Sequence, residues 1–517
     1  MPSICRRLAV AVALVAASVP MGARAGDFVD TRVTLLFTDD NVLAGPGETT
    51  PSNPGARFGS ANSTNTQFYD NFNTKYSGFE SLSNLVLYKK APAFFEGLTT
   101  EAALALNLLV SREKTSSADF NNAVLLSDAS SYVSLKYTPK GWNEREGVTL
   151  TGFPLSADRF RLGYAYKISW GGSEMFPGRS GAVPGAKLQY AQELAPDQLV
   201  YGYVGMKSTI ILNDEIHEQE ANYGVLAGAG VDITRWLRFD LSGGWFMKGV
   251  NPQTSVLGAP VRARGLSSQL VYHHGAPVGS SVDFALYKND PDLPTRLFKP
   301  EAYPGGFSMT AALEGSYLEQ TLADPDVFGQ TTVQSAFASA LQLRAKYDFW
   351  RFNVLALVRS LSFVQFNVPG FPPFVDFPEG TELGDEKFIA VGFDYYFERL
   401  HLTPGLVGGV QMPATYSSSG DLGGNNPPPA NQGQRTVVVR DVNTFVILPS
   451  GADVSLIYSI KGTMRWDLSE YFAVIGELFY NRDNNRYTFK DDAIGVSQPT
   501  REKADILGFN MMLQARF

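Results

Sequence analysis

The feature that most limits what this chain can fold into is an alternation of apolar and polar residues, repeated along its length. Over Val454 to Leu468 the even positions read Val454, Leu456, Tyr458, Ile460, Gly462, Met464, Trp466 and Leu468. The odd positions read Ser455, Ile457, Ser459, Lys461, Thr463, Arg465 and Asp467. Leu237 to Lys248, Ile389 to Glu398 and Arg159 to Trp170 sort in the same way. In the last of these, Phe160, Leu162, Tyr164, Tyr166, Ile168 and Trp170 oppose Arg159, Arg161, Gly163, Ala165, Lys167 and Ser169. Successive side chains of a strand point to opposite faces, so a period of two marks strands with one greasy and one wet face. The pattern fits a soluble sandwich as well as a membrane barrel. What the greasy face touches has to be decided from the rest of the chain.

The N-terminus narrows the choice. Arg6 and Arg7 precede an apolar run, Leu8 to Val19, and Ala23-Arg24-Ala25 follows as a small-x-small site. This is the grammar of a secretory signal peptide, residues 1–25, with cleavage expected after Ala25. The run of about 12 residues falls short of the roughly 20 that a spanning helix needs. The single cysteine, Cys5, lies before it, so the mature chain is expected to carry no disulfide, thiol nucleophile or Cys metal ligand. Losing the arginines at 6, 7 and 24 takes the net charge from −8 to −11. An exported chain this acidic is a poor partner for nucleic acid. The longest apolar candidates elsewhere, such as Leu341 to Val358, are interrupted by Arg344, Lys346, Asp348, Arg351 and Asn353, which argues against a helical membrane protein.

At the far end, Leu507, Phe509, Met511, Leu513, Ala515 and Phe517 alternate with Gly508, Asn510, Met512, Gln514 and Arg516. Together with the leader and the strand pattern, this resembles the Gram-negative outer-membrane β-barrel superfamily, porins among them. The resemblance implies an outer-membrane location among lipid and lipopolysaccharide, with Phe517 as the insertion signal read by the β-barrel assembly machinery and periplasmic chaperones on the way. Whether copies join into a homo-oligomer stays open. Lipid offers no hydrogen-bond partners, so a chain without apolar helices can span it only as a closed sheet. Trp170, Trp236, Trp350, Trp466 and Tyr471 suit the aromatic girdles of such barrels.

Turn signals predict the topology. Short connections are expected at 92–97, 195–198, 235–236, 275–279, 349–350, 399–400 and 468–470. Long ones are expected at 39–82, 113–129, 171–183, 213–220, 250–260, 291–331, 367–385, 414–452 and 485–502. Residues 141–157 read as an unusually long periplasmic connection, and 306–322 as an extracellular loop or constriction element, with a strand as the other possibility. The predicted fold is all-β: a transmembrane antiparallel up-and-down barrel over residues 26–517, of about 18 strands and within roughly 16–20.

Alternation also assigns the interior. Candidate pore-lining residues are Arg161, Lys167, Arg238, Asp240, Arg344, Lys346, Arg351, Arg359, Asp394, Lys461, Arg465 and Glu477. The predicted interior has a slight basic excess. Either its charges pair across strands to form a wet wall, or a basic strip selects anions. Arg344, Lys346, Arg351 and Arg359, with Asp348 the only acid among them, are the candidate strip. Gly224, Gly228, Gly230, Ala336, Ala338 and Ala340 are expected to leave room for an aqueous lumen. Nothing points to catalysis. His217, in NDEIHEQE, lacks the second histidine of a zinc-protease motif, and no G-x-S-x-G elbow occurs. Acidic pairs such as Asp39-Asp40 and Asp491-Asp492 read as solvated loop caps rather than calcium sites, so no metal or cofactor is expected. The expected function is a porin-like channel for passive passage or export of small polar, anionic or saccharide solutes. The alternative is a structural or adhesive barrel displaying its loops.

Overall fold

A computed structural model describes residues 28–39, 41–43, 83–91, 93–114, 120–128, 131–158, 160–163, 168–179, 181–196, 198–213, 218–275, 306–366, 374–418, 435–441, 444–469, 471–491 and 497–516. The proposed leader, Lys167, His217 and Phe517 lie outside them. No helix among the described residues is long and apolar enough to cross a membrane.

The chain forms one large antiparallel sheet. Its strands are β1 (Phe28–Asp39), β2 (Ser83–Ala91), β3 (Leu98–Lys114), β4 in two pieces (Phe120–Asp128 and Tyr132–Tyr137), β5 (Gly147–Phe153) and β6 (Gly185–Ala195). There follow β7 (Gln198–Asn213), β8 (Glu218–Thr234), β9 (Leu237–Val250), β10 (Pro260–His274), β11 (Phe307–Ala323) and β12 (Thr331–Tyr347). The last six are β13 (Trp350–Arg359), β14 (Glu386–Tyr395), β15 (Leu402–Met412), β16 (Ile457–Asp467), β17 (Phe472–Asp483) and β18 (Asp505–Arg516). Both pieces of β4 pair with β3, so the 19 segments of the sheet make 18 strands. Each strand pairs with its neighbours in the chain, and β1 pairs with β18 over eight residue pairs, from Arg32↔Arg516 to Asp39↔Phe509. The sheet is therefore a closed barrel, and the strand number lies within the range of such barrels.

Closure and alternation set the two faces. Leu35, Phe37, Met206, Leu266, Leu341, Ile389, Val391, Ile460, Met511 and Leu513 point outward and are exposed. Their chain neighbours on the other face, such as Lys461, Glu477, Asn510 and Gln514, are buried in the interior. An exterior of bare Leu, Ile, Val and Phe on a closed sheet is a surface for lipid. At the short-turn end Trp350, Tyr395 and Phe397 form an aromatic cluster, with centroid separations of 4.7 Å from Tyr395 to each neighbour.

Several expectations need correction. The described residues of 159–170 belong to no wall strand. The fifth strand is instead 147–153, inside the stretch read as a long connection, and the described parts of 154–184 fold into the barrel. Leu162, on the apolar list that a wall strand would turn toward lipid, is 1% exposed inside. The stretch 307–323 is β11, not a loop, so the predicted loop over 291–331 is wrong across those residues. Since β10 pairs directly with β11, His274 and Phe307 both lie at the short-turn end. Residues 120–128, placed in a loop, form the first piece of β4. The total of 18 strands still matches the predicted number.

At the long-loop end Glu382–Gly384, Ala414–Ser418, Arg435–Asp441 and Thr444–Ile447 form a separate four-stranded sheet. Its core of Ala414, Tyr416, Val437 and Val439 also takes Leu361 and Val364 from the short helix α1 (Leu361–Val364). Arginine in place of Ile460 should destabilise the barrel by about 2–4 kcal/mol if that side chain sits near the bilayer midplane. Urea unfolding of protein refolded into lipid vesicles measures this, and an unchanged midpoint would contradict a lipid-facing Ile460.

Candidate functional site

The candidate site is the interior, and two features define it: charges on the inner wall and two segments that enter from the long-loop end. The inner-face ladder is mostly ion-paired. Lys461 Nζ lies 2.6 Å from Glu477 Oε1, whose other oxygen accepts from Asn510 at 3.3 Å. Arg351 Nε donates to Asp394 Oδ1 at 2.6 Å, and Arg465 Nε to Asp467 at 2.8 Å. Arg359 pairs with Glu386, which also accepts from Gln411. Near the 235–236 turn Arg238 stands 3.3 Å from Asp232 and 3.6 Å from Asp240, with its guanidinium over the Tyr201 ring. Arg465–Asp467 and Arg238–Asp240 are two apart on one strand, while antiparallel register brings the cross-strand partners level. Arg351 faces Asp394 and Arg359 faces Glu386 across β13 and β14.

This corrects the candidate strip. Arg351 and Arg359 each have a carboxylate on the adjoining strand, so the four residues are not a run of uncompensated charge. Lys346 is buried on the inner face, and Arg344, half-buried on the same face, lies level with Thr310 and Asn353. Arg161 is not on the wall at all.

The first inward segment spans 154–184. The described members of its apolar list, Phe160, Leu162, Ile168 and Trp170, are all buried inside the barrel, joined by Met175 and Phe176. The chain doubles back on itself, with Leu162 and Trp170 exchanging backbone hydrogen bonds at 2.8 Å. Gly163, at φ +80°, makes that fold possible. A Cβ there would also stand 2.6 Å from Glu314 on the wall. Trp170 Nε1 donates to Ser267 Oγ on β10 at 2.7 Å, and Ser316 on β11 donates to the Ile168 carbonyl at 3.3 Å. The Trp170 ring meets Phe246 of the wall edge-on at 6.0 Å. It meets Phe366, from the second inward segment after β13, at 6.5 Å. Small wall residues make room for these rings rather than for water. A Cβ on Gly205 would come within 2.5 Å of Phe160, and Gly224 lies against Phe246.

The opposite side of the first segment is charged and only partly exposed. Arg161 donates to Glu174 at 2.5 Å and to the Ser169 carbonyl, and lies 3.9 Å from Asp158. The two acids differ. Burial works against the Asp158 charge, but Arg161 and the N–H and hydroxyl donated by Ser173 outweigh it and hold that carboxyl below the usual range. At Glu174 burial outweighs Arg161 and raises the pKa. Acidification therefore protonates Glu174 before Asp158. The sequence reading missed Lys207, Lys248, Glu314 and Glu386. Alternation from Tyr201 and Phe246 already points Lys207 and Lys248 inward, so that signal was available.

No protein-family model matches the chain, and no curated protein does. Solved structures that resemble it include the outer-membrane protein OpdK from Pseudomonas aeruginosa, at 9% identity over 95% of this chain and 97% of that one, with a TM-score of 0.39. A BenF-like porin from Pseudomonas fluorescens gives 9%, 95%, 98% and 0.39. Wzi of Escherichia coli, a carbohydrate-binding β-barrel involved in capsule assembly, gives 11%, 95%, 85% and 0.38. Superpositions this loose place the chain in none of these families.

The ladder predicts a coupling that can be measured. Lys461→Met leaves the buried Glu477 carboxylate without its ammonium and should cost about 3–5 kcal/mol. Adding Glu477→Gln should restore most of that stability in urea unfolding. Equal losses in the single and double variants would contradict the pairing.

Proposed function

We infer that this protein is an outer-membrane porin-like channel, a passive path for small polar solutes across a bilayer. One observation carries the reading: the closed 18-stranded wall has an apolar outside and a charged inside. Barrels of that size enclose more volume than wall side chains fill, which is the condition for an aqueous channel. The inward segments then act as a constriction. Export through the leader, maturation at Gly26 and insertion through Phe517 belong to the same reading, with lipid and lipopolysaccharide as the surroundings. The ion-paired ladder favours polar over apolar solutes and leaves a modest charge preference, to which Arg344 contributes as a basic group on the inner face.

A second reading, a barrel that displays surface structure, draws on the four-stranded sheet at the long-loop end with its own apolar core. Planar-bilayer recording of the purified protein separates the two. The channel reading requires discrete conductance steps, and a silent, correctly folded barrel would leave display as the better account.

Selectivity gives a finer test. Arg344→Glu should move the reversal potential in a KCl gradient toward cations. The shift should shrink as salt rises, because screening acts over about 10 Å at about 0.1 M. Arg359→Glu is the wrong probe, since it would set two carboxylates against each other at Glu386. An Arg344→Glu channel with the wild-type reversal potential would show that Arg344 does not face the conducting path.

A further inference from the structure

Two wall lysines are buried where the inward segments meet the barrel. Lys207 on β7 is 0% exposed and Lys248 on β9 is 1% exposed. An ammonium removed from water costs several kcal/mol unless its donors are satisfied. Among the described residues, both ammonium groups find acceptors on the inward segments. Lys207 Nζ donates to the Ala157 carbonyl at 2.7 Å and to the Gly171 carbonyl at 2.6 Å. Those carbonyls bracket residues 158–170, so one ammonium ties together the two ends of that part of the segment. Lys248 Nζ donates to the Phe366 carbonyl and, at 3.2 Å, to Gln320 of the wall. Each lysine also lies against an aromatic ring of the segment it holds: Phe160 at 5.5 Å for Lys207 and Phe366 at 4.6 Å for Lys248. Trp170 then joins the two segments through its contact with Phe366.

The geometry points to Lys207 and Lys248 as the positioning residues of the constriction: each staples one inward segment to the wall, and together they set the passage left to solutes. The assignment rests on the channel reading. Charge-assisted bonds to carbonyls are about twice as strong as neutral ones, and backbone acceptors persist whatever side chains the segment carries. Lysine suits the task because its flexible stem lets one charge reach two carbonyls from different parts of the chain.

The test combines conductance with an independent report of segment position. Cys5 is the only cysteine, so a cysteine introduced at the buried Ile168 reports access of water to the segment. Lys207→Met keeps the length of the stem and removes the donors. It should raise the labelling rate of Ile168→Cys by a polar maleimide about tenfold, as expected when a packed segment opens locally. It should also give larger, noisier conductance steps. Lys207→Arg, which keeps donors, should return both toward the wild-type values. Lys248→Met, read by a cysteine at the buried Phe363 of the segment it holds, should show the same rise and provides a second route should Lys207→Met not yield a heat-modifiable barrel. Folded variants with wild-type labelling would overturn the assignment. Labelling that rises while no form of the protein conducts would uphold the staple and sink the channel.

Discussion

Everything in this structure depends on the inability of lipid to accept or donate hydrogen bonds. A sheet edge in hydrocarbon would expose a row of backbone groups, each costing several kcal/mol. The pairing of β1 with β18, the first described strand with the last, removes that edge. Once the sheet is closed, the pleat gives every strand an outer and an inner side, and the two sides face different solvents. Leu35, Ile460 and Leu513 suit one of them, while Lys461, Glu477 and Asn510 suit the other. The period of two in the sequence is a direct consequence of this division.

Closing 18 strands creates a second problem, which is an interior too wide for wall side chains to fill. The chain addresses it in two ways. Across β13 to β18 the wall carries charges compensated strand to strand, as in Arg359–Glu386 and Lys461–Glu477. On the side of β5 to β11 the chain itself turns inward, and Phe160, Leu162, Ile168 and Trp170 pack against a wall thinned by glycines at 205 and 244. The interior is thus asymmetric, with an apolar, aromatic filling against one arc and an ion-paired face on the other. That asymmetry narrows the lumen without a separate domain, and it is the physical basis for reading the barrel as a channel with a built-in constriction.

Much of the fold was legible in the sequence, because lipid exposure imposes a pattern no other environment requires at such length. β9, β14, β16 and β18 follow their alternation closely. The misreading of 159–170 has a definite cause. A period of two says that alternate residues share an environment, but it does not distinguish lipid from the inside of a barrel. Leu162 and Trp170 were apolar for the second reason. The positive φ of Gly163 was the local sign that the stretch bends. β11 was obscured because its inner face mixes Glu314, Ser316 and Gln320 with Leu318 and Leu322, which dilutes the alternation. Cross-strand pairing was among the expectations, but the identity of the partners was beyond reach for another reason: Glu386 becomes the partner of Arg359 only through the register of β13 on β14. That register belongs to the pairing of two strands separated by the long 360–385 connection, and neither strand's sequence states it alone.

The seam is where the account is most exposed. Leu35 of β1 and Leu513 of β18 are directly paired, and both point outward. With Cys5 the only native cysteine, a Leu35→Cys/Leu513→Cys variant should form an intramolecular disulfide in the folded protein. The oxidised chain, closed into a ring between residues 35 and 513, should migrate differently from the reduced chain on a denaturing gel. Shifting one cysteine to Phe509, at the far end of that ladder, should abolish the bond. A seam pair that cannot be oxidised while the barrel remains folded would mean that the sheet is open, and the division into lipid face and lumen would fall with it.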